Sequence, residues 1–484
     1  MKPGIAREES DPSIVVRDGR AVHMAKGWAV GSSEQSTHAD SGMPVPRKSV
    51  SSTLLELTAK AKRDRKYRFR SLYREIDLRM LYDSFWLLKR KAAVGVDGVS
   101  WQEYEKDLDA NLRDLLDRLV TQRYRAKLIR RKSIPKGNGK LRPLGIPSLE
   151  DKIVQMSARR LLEAIYEPDF SDNSMGYRPG RGAREASKKL RDELFLSRAH
   201  WIVEADIKGF FDNMDHDWLV RMLGERVADR HFLRLIRKWL RAGILEEDGS
   251  VINPTTGTPQ GGIVSPVLAN IYLHYALDLW VEKVVRKACR GQVVYQRYAD
   301  DFVVGFEYGD EAERFFRDLP GRLGKFSLEI APEKSGIVRF SRCDLHGSGR
   351  FVYLGFDFYW ARTRRGKLTV RRRTNKKKFQ QALKSLKDWL NREKSLPLKQ
   401  LARPLRQKLA GHFNYYGVVG NSQMLSQFFN AARHTIYRVL NSRSQKKSYN
   451  WDGFKAMWKT LDIANPKIIE TLQTQSPCLF PAQS

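Results

Sequence analysis

Three carboxylates carry the first chemical suggestion in this chain. Trp201-Ile202-Val203-Glu204-Ala205-Asp206 is a mostly apolar run that ends in an acid, and an acid at the open end of a buried strand is held rigidly. Well downstream, Gln292-Val293-Val294-Tyr295-Gln296-Arg297-Tyr298 leads into Ala299-Asp300-Asp301 and out through Phe302-Val303-Val304-Gly305-Phe306. That pattern reads as two strands joined by a tight turn with adjacent acids at its tip. Like charges packed within a few ångströms repel, raise one another's pKa and cost stability unless a divalent cation sits among them. Mg²⁺ is the natural candidate, because it prefers hard oxygen ligands and is often held by one or two carboxylates plus substrate phosphates. Two such ions, about 4 Å apart, activate an attacking hydroxyl and stabilise the departing pyrophosphate of an in-line displacement. Taken alone, a Tyr-x-Asp-Asp string reads better as a solvated acidic hairpin turn; the strand-borne Asp206 strengthens the metal reading.

The elements that must position these acids form an α+β pattern. Between about residues 130 and 360, short β-like runs alternate with helical stretches and no fixed repeat appears. Upstream, Leu54, Leu57 and Ala61, then Phe69, Leu72, Ile76 and Met80, recur at helical spacing with basic residues crowding the face between them. Residues 1–52 are poor in aliphatics and show neither period, so a disordered tail is expected there.

Composition narrows the partners. The 484 residues hold 88 Lys plus Arg against 55 Asp plus Glu, a formal charge of +33, with 41% hydrophobic residues. Such an excess repels itself in the compact state unless a polyanion neutralises it, and nucleic acid is the commonest large one. Only Cys289, Cys343 and Cys478 occur, too few for a disulfide framework or a four-cysteine zinc site, so a reducing cytosol is the expected compartment. No apolar run approaches the ~20 residues of a membrane span, and no membrane partner is expected. The loop Gly137-Asn138-Gly139-Lys140 does not satisfy the phosphate-loop pattern of an ATPase.

Charge is concentrated late. Residues 361–460 carry 25 Lys plus Arg against three acids, two-thirds of the whole excess. Three apolar stripes are visible there: Phe379, Leu383, Leu386 and Leu390; Leu398, Leu401, Leu405 and Leu409; Phe429, Ala432, Ile436 and Val439. They predict a small bundle of basic amphipathic helices. Its charged side, including Arg371, Arg372, Arg373, Lys376, Lys377 and Lys378, is a candidate track for a phosphate backbone, and Tyr415, Tyr416 or Trp389 would stack on bases or pack into a core.

Nine short blocks, in order, then resemble a known family. They are Ala93-Val94-Gly95-Val96-Asp97-Gly98-Val99; Ile134-Pro135-Lys136 through Leu141-Arg142-Pro143-Leu144-Gly145-Ile146-Pro147; Met175-Gly176-Tyr177-Arg178-Pro179-Gly180; Ala205-Asp206-Ile207-Lys208-Gly209-Phe210-Phe211-Asp212; Gly257-Thr258-Pro259-Gln260-Gly261-Gly262; Tyr298-Ala299-Asp300-Asp301; Glu333-Lys334; Tyr353-Leu354-Gly355-Phe356; and Gly411-His412-Phe413-Asn414-Tyr415-Tyr416-Gly417. Over about residues 53–465 the chain resembles a bacterial group II intron-encoded reverse transcriptase and maturase. The resemblance implies a right hand: an N-terminal extension and fingers at 53–200, a palm at 201–360, a basic helical thumb or maturase domain at 361–465, and a tail at 466–484. It implies DNA synthesis on an RNA template and help in splicing the intron. The expected partners are intron RNA, a DNA target and primer, and deoxynucleoside triphosphates, in a bacterial cytoplasm and on the nucleoid when bound to target DNA.

The resemblance also assigns roles. Asp206 and Asp300 become ligands of two Mg²⁺ ions and Asp301 the third carboxylate. Lys136 and Arg142 hold the incoming triphosphate. Phe211 presses on the sugar and rejects a 2′ hydroxyl, unless it or Phe210 is simply core. Gln260 and Gly261 lie beside nucleotide and template, Lys334 protonates the leaving pyrophosphate, and Arg178 is on the template side. One departure is expected to matter: about 20 residues follow Lys467, with one cysteine and no histidine, so the family's endonuclease is missing and the primer would come from elsewhere, such as a replication fork. A related polymerase recruited to phage defence or CRISPR adaptation, and a splicing-only maturase with a silent site, are the competing readings.

Overall fold

The computed structural model describes residues 49–135, 141–443 and 449–470. Most of the expected N-terminal tail, Lys136, and the last 14 residues lie outside them. The tail ends earlier than expected: a helix already starts at Val50, its N-terminus capped by Ser49, whose Oγ accepts from the Ser52 amide at 3.1 Å.

The described chain divides into two compact units, one of residues 49–354 and 360–369, the other of residues 355–359 and 370–470. The first mixes helices and sheets. Its centre is an antiparallel sheet in the order Val293–Tyr298, Asp301–Phe306, Trp201–Asp206, Gly336–Arg339. In the two inner strands Ile202, Val203, Ala205, Phe302, Val303 and Val304 are all buried, which explains why these runs read as near-continuous apolar stretches instead of alternating. Each buried Val or Ile side chain contributes about 1.5–3 kcal/mol by leaving water, ample to override the cost of ending a central strand on an acid. The helix Leu149–Tyr166 runs through the core, with Ile153, Val154, Ala158, Leu161, Leu162 and Ile165 fully enclosed. A second sheet pairs Ile129–Pro135 with Leu141–Ile146, Arg142 standing opposite Ile134.

The other unit is mainly helical, as the stripes predicted, but with four helices among its described residues instead of three: Lys376–Glu393, Leu398–Tyr416, Ser422–Asn441 and Trp451–Thr460. The third stripe holds at Ala432, Ile436 and Val439, but its first member is off by one, since Phe428 is buried and Phe429 only half-buried. Trp389 is core, with the Lys408 ammonium 5.1 Å from its ring centre. The expected C-terminal tail also starts too early. Ile469 donates its amide to the Gly417 carbonyl at 2.8 Å, and the Glu470 carboxylate meets the Arg372 guanidinium at 2.5 Å.

That ion pair corrects the basic track. Arg371, Arg372 and Arg373 sit on a strand, Leu368–Thr374, where alternation sends Arg372 inward with no exposed surface. Arg373 bonds Asp357 at 3.1 Å. Arg372 is therefore structural and does not face RNA. Replacing it with Met is expected to leave Glu470 buried without its partner and to cost about 3–5 kcal/mol, read as a lower thermal midpoint.

Candidate active site

The strand ladder sets the acids. Asp206 stands directly opposite Asp301, and Trp201 opposite Phe306, so the whole register of the inner pair is in step. Residues directly opposite in an antiparallel pair share one face, and like charges there are unfavourable. On the other side of the hairpin Tyr298 pairs with Asp301, leaving Ala299 and Asp300 as a two-residue turn. Ala299 takes φ +58°, a left-handed conformation that costs a residue with a Cβ about 1–2 kcal/mol. Strain of this kind persists only where its surroundings hold it, and here it aims Asp300.

Burial, and then the charge of Asp206, push the Asp300 carboxyl above the usual carboxylate range, against the opposing pull of Arg142 and Lys334. Asp206 and Asp300 are thus close enough for their charges to couple, although 94 positions separate them. The Lys334 ammonium stands on the Asp206 carboxylate, and that bond raises the Lys334 pKa. Its position is built locally: the strand-end carbonyl of Asp206 accepts from the Ala331 amide at 2.8 Å, and Pro332–Lys334 then forms one tight turn. Asp301 is exposed and shares the sheet end.

A divalent cation suits this donor set, two coupled carboxylates beside an ammonium that already plays a cation's part. The expected cage of three does not close: among the described residues no group of three Asp, Glu, His or Cys is arranged to hold a metal ion. With Asp206 turned onto Lys334, the donor set would suit an ion that takes one or two carboxylates plus substrate oxygens.

Other expected residues converge on the same place. Arg142 donates through Nε to Gln260 Oε1 at 2.8 Å and acts electrostatically on Asp300. The Gln260 carbonyl accepts from the Gly145 amide at 2.7 Å, tying its loop to the strand that carries Arg142. Gly261 has φ +114°, and a Cβ there would come within 2.6 Å of the Gly145 carbonyl oxygen. Its close approach is therefore to protein backbone, a sufficient reason for glycine. Phe211 is buried in the short helix Phe210–Asn213, its ring edge-on to Tyr177 with centres 6.3 Å apart. It borders a cavity of about 150 Å³ lined also by Arg131, Asp212, Gly257 and Gln260. Lys136 lies outside the described residues.

Arg178 is a correction. Its side chain is 2% exposed, bonds Glu167 at 2.8 Å, and donates to the carbonyls of Ser171 and Ser174. It organises the loop beneath Tyr177 and does not face a template. Sequence reasoning also missed the fully buried pair Arg297 and Asp278, 2.6 Å apart. A signal existed: an arginine amid a buried strand, and the lone acid in a stretch from Ser265 to Val281 that holds no Lys or Arg.

Comparison with known proteins gives the family. Residues 134–358 match the reverse transcriptase (RNA-dependent DNA polymerase) family, and residues 376–458 the group II intron, maturase-specific domain. Protein YkfC of Escherichia coli K12 is 33% identical over 308 residues, covering 57% of this chain and 78% of that protein. The group II intron-encoded protein LtrA of Lactococcus lactis is 43% identical over 180 residues, 37% of this chain and 29% of LtrA. A 91 kDa protein in the cob intron of Schizosaccharomyces pombe is 41% identical over 181 residues, 22% of its length. The match thus spans less than a third of those two intron proteins. No helix among the described residues is long and apolar enough to cross a membrane. The chain belongs to the reverse transcriptases that carry a group II intron maturase domain.

Proposed function

We propose that the chain is a right-handed polymerase that copies intron RNA into DNA and binds that RNA as a maturase. The sheet bearing Asp206 and Asp300 would be the palm, the sheet bearing Arg142 the fingers, and the basic helices the thumb. The convergence of Asp206, Asp300, Lys334 and Arg142 at one sheet end carries this reading. Asp206 and Asp300, with Asp301 beside them, would hold Mg²⁺, which when bound activates the primer 3′ hydroxyl and stabilises pyrophosphate. Arg142, fixed by Gln260, would fork onto the phosphates of a deoxynucleoside triphosphate, a role that Lys136 would share. Lys334, whose pKa stays high while it neighbours acids, would hold a proton for the leaving pyrophosphate. Phe211 would close the sugar side.

In the helical unit the reading rests on Lys376, Lys377 and Lys378. All three are exposed, at the N-terminal turn of an 18-residue helix, where cations oppose the helix dipole. RNA phosphates would relieve that opposition. Half-exposed Tyr415, stacked at 9° on Phe356, would supply an aromatic edge to the same unit. Changing the three lysines to Gln is expected to weaken RNA binding and flatten the slope of log K against log salt by roughly 2–3. An unchanged slope would remove this face from the RNA contact.

The test of the whole reading is extension of a DNA primer on a long RNA template with Mg²⁺ and deoxynucleotides, alongside splicing of the flanking intron. Failure of the purified chain to extend any primer while it binds RNA would favour a splicing-only protein.

A further inference from the structure

A guanidinium has five N–H donors in a fixed fork, and all five of Arg297 find partners inside the protein. Nε donates to Asp278 Oδ1 at 2.7 Å, and Nη2 to Asp278 Oδ2 and Ser174 Oγ, each at 2.6 Å. Nη1 donates to Asn270 Oδ1 at 3.1 Å and to the carbonyl of Ala299 at 2.9 Å. That last acceptor is the strained turn residue next to Asp300. Asn270 in turn donates to the Gly176 carbonyl at 2.7 Å, and Gly176 lies so near the turn that a Cβ on it would collide with the Ala299 amide nitrogen. The Arg297 amide and carbonyl bond Asn173 and Met175, clamping the loop that ends in Tyr177.

The helix opposite is deformed in the same place. After Ser265–Leu273 the chain widens into a π-helical turn, His274–Asp278. In a regular α-helix Asp278 would lie about 80° round from Asn270. The wider turn reduces that offset, and both side chains reach one guanidinium. Such turns are common at functional sites. Tyr295, one alternation before Arg297 on the same strand face, donates its hydroxyl to Asp278 Oδ1 at 2.5 Å.

We propose that Arg297, braced by Asp278, is a positioning residue: it holds the left-handed Ala299 turn, and through it Asp300, in register with Asp206, and it ties that turn to the Tyr177 loop that backs Phe211. Arg297 touches neither substrate nor metal site; it acts through the Ala299 carbonyl. This rests on the polymerase reading of Asp206 and Asp300, which wild-type extension and its loss in Asp300→Asn establish independently.

The test compares wild type with Arg297→Lys, which keeps a charge opposite Asp278 but cannot donate in five directions. Should that variant not fold, Asp278→Leu/Tyr295→Phe/Arg297→Met replaces the charged cluster by apolar groups of similar volume, an exchange that buried pairs tolerate. In steady-state extension, kcat is expected to fall about 10²-fold, the cost of a misplaced reacting group, with KM for deoxynucleotide and RNA affinity within a few-fold of wild type. Adding Ala299→Gly to the same variant is expected to raise kcat by roughly tenfold, because glycine adopts the turn without a Cβ penalty. An unchanged kcat in the folded variant overturns the proposal. So does a loss of kcat that Ala299→Gly does not relieve, or that tracks a loss of RNA affinity, since either marks general destabilisation. If wild type itself shows no extension, the polymerase reading fails and not the network.

Discussion

Asp300→Asn is expected to lower primer extension by at least about 10³-fold while the chain stays folded, binds RNA, and melts at an equal or higher temperature at neutral pH. The activity loss follows from the site: asparagine keeps the shape of the side chain but removes the charge that a metal ion and Lys334 both answer. The stability gain follows from the raised Asp300 pKa. A carboxyl whose pKa is higher in the folded state keeps more protons folded than unfolded, so its contribution to stability falls as pH rises from the unfolded carboxylate pKa, and the deficit is full above the folded one. Asparagine has no such deficit and no repulsion from Asp206. Thermal melts from pH 4 to 8 should therefore show a shallower decline for the variant, and added Mg²⁺ should raise the wild-type midpoint more than the variant's. A variant that loses activity only by unfolding would show the opposite order of midpoints. Destabilised residues that function requires are what a stability–activity trade-off predicts, and Asp300 on its strained turn meets that description twice.

How far such a site is readable from sequence depends on what each residue's neighbours are. Asp206 and the Asp300 hairpin were legible because strand period, turn length and charge are local properties, and the ladder then brings Asp206 opposite Asp301 through register alone. The apolar stripes of the basic region were legible for the same reason, apart from one residue of phase at Phe428. Pairings between distant segments were not. Nothing near Asp206 announces Lys334, 128 positions away, and nothing in a run of three arginines says that the middle one turns inward to Glu470. Charge in a sequence does not state its own burial. Arg178 and Arg372 therefore read as surface cations, and Arg297, more deeply enclosed than either expected ligand, passed as an ordinary strand residue. The family blocks located the site without explaining its support; the support lies in residues between and behind those blocks.

The buried ring of Phe211 gives the last test. Its helix is held from below: the Phe211 carbonyl accepts from the Thr258 amide at 2.7 Å, and a Cβ on Gly257 would meet the Phe211 and Asp212 carbonyl oxygens within 2.9 Å. The backbone under the ring therefore cannot retreat, and with Tyr177 edge-on to one side the ring has little freedom to swing. Phe211→Val removes the bulk and leaves that backbone in place. Deoxynucleotides lose only packing, whereas ribonucleotides gain room for the 2′ hydroxyl, so the preference for deoxy over ribo substrates is expected to drop about 10²-fold. Most of that drop should come from a higher kcat/KM for ribonucleotides. Competitive incorporation opposite one template base measures the ratio directly. If the ratio stays at the wild-type value in a folded Phe211→Val chain, the ring is core packing and the sugar is selected elsewhere along the cavity.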